Sequence, residues 1–196
     1  MTLRFRPYED KDLDLLLSCI MDWRKQEPEG TYCHPGDIAH RLYNSNRGVM
    51  PLSEIARIYL YDDKAAGFLL CYPRYDHMDV FIRPDMRGEI ELFVPMVEAG
   101  YHILRDYFDT HDKADTAVAA SCFRSDTAMP DLLSKAGFSA TENDINFTRR
   151  KLDNLPDVTL PEGFIIRSVT LDDVEQLASV HHKSFGSGWT TGKYLN

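Results

Sequence analysis

Hydrophobic and polar residues follow two different periods at the start of the chain. Residues Leu3–Arg6 have the alternation of a short strand, and the next apolar residues are spaced three or four positions apart. Those apolar residues are Leu13, Leu16, Leu17 and Ile20. Their spacing predicts a helix with one buried face, capped by Asp10 or Asp12.

A second helix and three strands are predicted in the next part of the chain. Asp37 would cap this helix, whose apolar residues are Ile38, Leu42 and Tyr43. The period then changes to that of β-strands. The predicted strands are Ala56–Tyr61, Ala66–Tyr72 and Met78–Arg83. Because only a short turn separates the first two, we expect them to form a hairpin.

A long amphipathic pattern after Gly88 predicts the main helix of the fold. Apolar and small residues recur on one face of it, which would be buried. They are Phe93, Met96, Val97, Gly100 and Leu104. Pro95 lies within the pattern, so we expect either a kink or a helix that begins later than Gly88.

The remaining elements complete an alternating pattern. A buried strand is predicted at Thr116–Ser121, followed by a short helix that begins at Ser125 or Asp126 and ends at Gly137. The final strand pair would be Phe138–Ala140 and Ile145–Leu152. The order β-α-α-β-β-β-α-β-α-β-β indicates an α/β (α+β) fold with a mixed central sheet flanked by helices.

The last part of the chain repeats its beginning at one constant offset. Arg167 follows Arg6, and Asp173 follows Asp12, by 161 positions (167 − 6 and 173 − 12). The apolar stripe of the first helix recurs at Val174, Leu177, Ala178 and His181. A repeat at this distance indicates a duplicated domain, and an accessory C-terminal helix is the alternative explanation.

The repeat divides the chain into three predicted parts. They are a domain at 1–152, a linker at 153–163, and the incomplete start of a second domain at 164–196. This start would contain a strand, Phe164–Arg167, and a helix, Leu171–Lys183. Its apolar stripe and unpaired strand edge favour docking onto its own domain or a homodimer that exchanges residues 164–196.

Charge and cysteine content restrict the partners. The 196 residues include 31 acidic and 22 basic side chains, so a net charge of −9 disfavours nucleic acid and anionic membrane surfaces. The longest uncharged apolar run, Ala65–Tyr72, is too short to cross a membrane. The four cysteines form no CxxC pair, and Cys33-His34 has no second ligand pair. We therefore expect reduced thiols, no metal site and a cytoplasmic protein.

The strand–turn–helix at Asp79–Leu92 is where we expect a functional site. A helix that begins just after a strand directs unpaired backbone N–H groups at whatever lies above the strand end, which favours a phosphate. Gly88 would allow close approach of the backbone, and Arg87 would pair with the anion. An ordinary turn with a surface arginine is the alternative.

Two motifs and the element order resemble the GNAT N-acetyltransferase superfamily. The motifs are the turn Pro84–Gly88 and the segment Leu132–Phe138, and the resemblance covers about the first 152 residues. The tail, Phe164–Trp189, looks like the start of another GNAT domain, as in tandem GNAT proteins. The resemblance implies that acetyl-CoA is the cofactor. Its pyrophosphate would lie on the turn residues Arg87, Gly88, Glu89, Ile90 and Glu91.

The turn and the later helix depart from the GNAT pattern at three positions. Ile90 replaces the second glycine of the turn, and Glu91 falls where phosphates would approach. Leu133 stands where many family members have a tyrosine that protonates the thiolate. These departures predict weak or absent acetyl-CoA binding, because a carboxylate close to a phosphate repels it.

The resemblance also implies which residues would act in acyl transfer. A strand N–H near Phe81 or Ile82 would polarise the thioester, and Arg83 ends the same strand. Asp76 or Asp79 would act as base or amine anchor, and Tyr75 would supply a proton. The alternative for these last residues is solvated hairpin charges and a half-buried aromatic ring.

Two functions of different classes remain. The first is an acetyl-CoA-dependent N-acyltransferase acting on an amine of a small molecule or peptide. The second is a catalytically degenerate scaffold that supports an active second domain. Cofactor binding at Arg87–Glu91 distinguishes them.

Overall fold

The computed structural model describes most of the chain. The described residues are 3–27, 32–46, 48–113, 115–123, 125–141, 153, 157, 159–186 and 190–192. They divide into two units, residues 1–143 and 144–196. The predicted boundary at residue 152 falls outside the described residues.

The first unit is built on a five-stranded mixed sheet with the strands in chain order. Strands β1 to β4 pair antiparallel, and β5 is parallel to β4. The strands are β1 Leu3–Pro7, β2 Ala56–Tyr61, β3 Lys64–Tyr72, β4 His77–Ile82 and β5 Ala119–Ala120. With helices against the sheet, this confirms the predicted fold class, and the β2–β3 hairpin is present as expected.

Helices of the first unit contribute to two hydrophobic cores on the sheet. The helices are α1 Leu13–Gln26, α2 Pro35–Ala39, α3 Leu52–Ile55, α4 Ile90–Thr110 and α5 Met129–Lys135. One core joins α1 and α2 to strand residues such as Phe68 and Phe81. The other joins α4 and α5 to Leu69 and Met78. Because side chains alternate along a strand, β3 and β4 contribute to both cores.

Helix α4 lies against β3 and β4 at close range because of one glycine. A Cβ atom on Gly100 would come within 2.4 Å of Met78 Sδ and 3.0 Å of Leu69 Cδ1. The predicted buried face of this helix is correct, and the helix begins at Ile90, later than Gly88. Pro95 is therefore only the sixth residue of the helix and breaks few hydrogen bonds.

The second helix differs from the prediction at its cap. His34, not Asp37, is the N-cap, and its Nδ1 accepts a hydrogen bond from the Gly36 amide at 3.0 Å. Asp37 completes the capping box by accepting from the His34 amide. The helix continues beyond α2 as a π-helical segment, His40–Ser45.

The predicted strands after α4 are shorter than expected or absent. Thr116–Ser121 forms only the two-residue β5, and Phe138–Ala140 is not a strand. Ile145–Leu152 lies outside the described residues. Asp126 accepts hydrogen bonds from the amides of Ala128 and Met129 at the start of α5, which begins three residues later than Asp126.

The start of α1 is held by a bidentate ion pair. Arg6 Nη2 lies 2.7 Å from Asp12 Oδ1, and Asp12 Oδ2 accepts from the Glu9 amide at 2.9 Å. A short 3₁₀ turn, Asp10–Asp12, leads into the helix. The hydrogen bonds from Arg6, followed by that of the Glu9 amide, hold the pKa of Asp12 below its usual range despite burial.

The second unit contains the same local arrangement 161 residues later. A 3₁₀ turn, Leu171–Asp173, leads into α6, Val174–Phe185. Arg167 Nη2 lies 2.6 Å from Asp173 Oδ1, and Asp173 Oδ2 accepts from the Thr170 amide at 2.8 Å. The expected strand at Phe164–Arg167 is wrong, since these residues form no strand.

None of the described helices combines the length and the apolar character that crossing a bilayer requires.

Asp12→Ala is expected to destabilise the first unit by about 2 kcal/mol at pH 7, because it removes both the ion pair and the cap. Asp12→Asn keeps one acceptor oxygen and should lose less. Since the Asp12 pKa is lowered on folding, its contribution is present above pH ~4 and is lost as pH falls through the folded value. Urea unfolding at pH 7 and pH 3 measures this, and equal deficits for Asp12→Asn at both pH values would contradict it.

Candidate functional site

The turn between β4 and α4 has an open surface that requires glycine. A 3₁₀ turn, Pro84–Met86, follows β4, and Gly88 adopts a φ of +100°, which side chains with a Cβ rarely adopt. Apart from Gly88 and its two chain neighbours, no atom of the described residues lies within 4 Å of the position where its Cβ would be. Glu89 then caps α4.

Backbone donors at this turn are available to a ligand. Among the described residues, no acceptor meets the amides of Gly88, Ile90 or Glu91, and all three residues are exposed. The amides of Arg87 and Glu89 are used within the turn, bonded to Pro84 and Met86 carbonyls. The backbone therefore has the donor arrangement that binds an anion at a helix N-terminus.

The guanidinium of Arg87 is buried and already paired with carboxylates. It is paired with Asp126 through Nη2 and lies 3.4 Å from Glu27 Oε2 through Nη1. The Tyr32 ring lies under it, 5.3 Å from Cζ to the ring centroid. Only 8% of the Arg87 side chain and 4% of the Asp126 side chain are exposed. The charge that would meet a phosphate is already neutralised.

The fit of this turn to a pyrophosphate is therefore incomplete. The backbone amides and the space at Gly88 suit the group, but the arginine is bound to carboxylates. The side chains of Glu89 and Glu91 are exposed at the same helix start and add negative charge. As they stand, the residues present do not fit the pyrophosphate of an acyl-CoA.

Among the described residues, no strand pairs with the edge of β4 beyond its short pairing with β5, and we call this the open edge. The Ala119 amide donates to the Asp76 carbonyl, while the Arg83 amide donates to Ala66 on β3. Because backbone groups alternate along a strand, the amides of Val80 and Ile82 face the β5 side. β5 pairs only with His77 and Met78, so it does not reach these two amides.

The alternation of backbone groups decides which of the two predicted strand amides faces the open edge. The Ile82 amide faces the open edge, whereas the Phe81 amide faces β3, because Phe81 has the same parity as Arg83, whose amide donates to Ala66. The Ile82 carbonyl is covered by the Tyr32 hydroxyl, which donates to it at 2.5 Å. Burial raises the pKa of Tyr32 to about 12, so the phenol keeps its proton. Sequence reasoning missed Val80, which the parity of Ile82 on the same strand indicates.

Asp79 lies in a buried polar cluster on the α1–α2 side of the sheet. Its Oδ2 accepts from Arg41 Nη1 at 2.5 Å and from the Tyr72 hydroxyl at 2.7 Å. His77 Nε2 lies 3.5 Å from its other oxygen. Burial alone would raise the pKa of Asp79, but His77, Arg41 and Tyr72 together hold it below its usual range.

The cluster is built by segments far apart in the chain. Arg41 comes from the π-helical segment after α2, and Asn46 fixes the end of that segment by donating to the carbonyls of Arg41 and Cys71. Burial raises the pKa of Tyr72 well above its usual value. Asp79 is thus a stably ionised carboxylate with an arginine beside it.

Known proteins are similar to this chain at the level of structure. No family model and no curated protein matches the sequence. A GCN5-related N-acetyltransferase from Sphaerobacter thermophilus is similar over 98% of this chain and 62% of its own, with a TM-score of 0.58 and 19% identity. The first unit has the GNAT fold. The chain thus spans less than two thirds of the length of that GNAT structure.

Two further solved structures are similar to a lower degree. An aminoglycoside acetyltransferase from an uncultured soil metagenomic sample, in complex with sisomicin, matches 76% of this chain and 95% of its own, with a TM-score of 0.47 and 13% identity. A predicted acetyltransferase with acetyl-CoA from Clostridium acetobutylicum matches 75% and 96%, with a TM-score of 0.45 and 13% identity. The GNAT fold assignment rests on the Sphaerobacter structure.

The remaining candidate residues lie apart from the GNAT turn. Asp76 has a positive φ of 57° and pairs with Lys113 Nζ at 2.7 Å, and Tyr75 is 60% exposed beside it. Both precede β4, whose six residues span about 20 Å before the turn begins. Arg83 pairs with Asp85. Leu133 is buried in α5.

Among the described residues, no group of three His, Cys, Asp or Glu side chains is placed to hold a metal ion.

Asp79→Asn is expected to destabilise the first unit by about 3 kcal/mol, because it leaves Arg41 facing an uncharged buried group. Tyr72→Phe removes one donor and should cost about 1 kcal/mol. Urea unfolding at pH 7 measures both. A larger loss for Tyr72→Phe than for Asp79→Asn would show that the carboxylate does not organise the cluster.

Proposed function

We propose that this chain belongs to an acetyl-CoA-dependent N-acyltransferase that acts on an amine of a small molecule or peptide. The observation that carries the proposal is a GNAT fold in which β4 has an open edge and ends at a glycine turn with unused amides. In the part of the chain that the structure describes, the amides of Val80 and Ile82 have no strand partner, and such donors suit a carbonyl group that lies along the strand.

Acyl transfer to an amine also requires a group that positions the amine and accepts its proton. Asp79 is ionised, and Asp76 is half-buried beside the start of β4, so both remain candidates for this role. Tyr75 is exposed next to Asp76 and is the proposed proton donor. The deep burial of Asp79 favours an indirect role through His77, which lies nearer the surface.

A second candidate function is a degenerate scaffold that supports an active second domain. The commitment of Arg87 to Asp126 and Glu27 favours it, together with Ile90 and Glu91 at the turn. The two candidates differ in one measurable property, which is the affinity of the chain for acetyl-CoA.

We further propose that residues 164–196 begin a second copy of the same domain and that the protein is cytoplasmic. The Arg167–Asp173 cap, which has the geometry of Arg6–Asp12, supports the duplication. Exposed apolar residues at Phe164, Ile165 and Ile166 support a homodimer through this segment.

Acetyl-CoA is expected to bind weakly or not at all to the chain, because the arginine of the turn is neutralised and carboxylates surround the amides. Isothermal titration at pH 7.5 measures the affinity. Dissociation in the low-micromolar range would contradict the prediction and exclude the scaffold function for this unit.

Removal of residues 164–196 is expected to convert a dimer into a monomer, because the exchanged segment would be lost. Light scattering of the full and shortened chains gives their masses. A monomeric full chain, or a shortened chain that stays dimeric, would show that this segment does not mediate exchange.

A further inference from the structure

The backbone amides and the arginine side chain of the turn after β4 differ in whether they already have a partner. Its backbone amides at Gly88, Ile90 and Glu91 are exposed and without an acceptor among the described residues. Its guanidinium at Arg87 is buried and holds carboxylates from two other elements. A surface arginine of no functional consequence would be expected to remain in water, where ion pairs contribute little.

Both carboxylate oxygens of Asp126 have partners. One oxygen pairs with Arg87, and the other accepts the amides of Ala128 and Met129 at 3.1 and 3.0 Å. The carboxylate is therefore held by the start of α5 while it neutralises the turn. Removing one partner of a buried ion pair leaves the other charge unpaired. A ligand phosphate that bound Arg87 in place of Asp126 would therefore leave the Asp126 carboxylate buried without its cation.

We propose that Asp126 is an internal anion that closes the phosphate site, and that the turn accepts a phosphate-bearing ligand of the acyl-CoA class only when this carboxylate is neutralised or displaced. The inference rests on the proposed function for the identity of the ligand. It adds that Asp126 sets the affinity of the turn for this ligand. Glu27 contributes less, because its carboxylate is more exposed and lies 3.4 Å away.

Asp126→Asn tests the proposal with little change in shape. The asparagine Oδ1 can still accept the Ala128 and Met129 amides, so the start of α5 is retained, while Arg87 keeps only the more exposed Glu27 as a counter-charge. Coenzyme A affinity, measured by isothermal titration, should rise about tenfold or more over the unaltered chain. Inorganic pyrophosphate serves as a second probe that lacks the rest of the cofactor.

Asp131→Asn is the matched control for net charge. Asp131 lies on α5, the short helix that Asp126 precedes, is exposed, and pairs with Lys135 at 2.7 Å. It removes the same charge without touching Arg87, so coenzyme A affinity should change less than about twofold. An equal gain for Asp131→Asn would show that general repulsion, not the Arg87 pair, limits binding.

The double variant Asp126→Asn/Arg87→Gln identifies the group that is released. It should lose the gain of Asp126→Asn, because the guanidinium is no longer present. Circular dichroism and thermal melting of each variant confirm that it is folded. Arg87→Gln alone is not required, which avoids leaving Asp126 buried without a partner.

The two probes separate this proposal from the proposed function. Tighter pyrophosphate binding by Asp126→Asn, without coenzyme A binding, supports the closed site and contradicts the acyl-CoA ligand. Equal coenzyme A binding by the unaltered chain and Asp126→Asn supports the ligand and overturns the role of Asp126. Failure of both probes to bind Asp126→Asn, or a gain that persists in the double variant, also overturns it.

Discussion

The close packing of α4 on the centre of the sheet determines where the glycine turn of the first unit lies. Gly100 allows this packing, because any side chain there would meet Met78 and Leu69. The helix buries eight residues against the sheet and α5. Since α4 follows β4 after a short turn, this fixed packing holds the helix start and its unpaired amides at the end of β4.

Tyr32 connects the strand edge to the turn. Its hydroxyl covers the Ile82 carbonyl, and its ring lies under the Arg87 guanidinium. The open edge of β4 and the closed arginine are therefore neighbours that share one aromatic residue. The GNAT fold is combined here with acidic side chains at the turn, in keeping with the excess of carboxylates in the chain. The electrostatics of the turn, not its backbone, oppose the binding of an anion.

The two units show which part of the repeat is local. The Arg–Asp pair and its 3₁₀ turn form in both, because their partners are six residues apart and need no other strand. The strand preceding the pair forms only in the first unit, where β1 pairs with β2. Phe164–Arg167 forms no strand despite a similar pattern. A strand depends on its neighbour for backbone hydrogen bonds, whereas a helix cap does not.

The sequence by itself determined the elements whose signals are local. The periodicity of α1 and α4, the hairpin of β2 and β3, and the glycine turn at Gly88 follow from spacing and backbone preference. Only the tertiary structure decided the charge state of the site. Arg87 meets Asp126 across 39 positions, and Arg41 meets Asp79 across 38. No local pattern specifies which distant carboxylate an arginine meets, because that choice depends on how packed helices and strands bring their ends together.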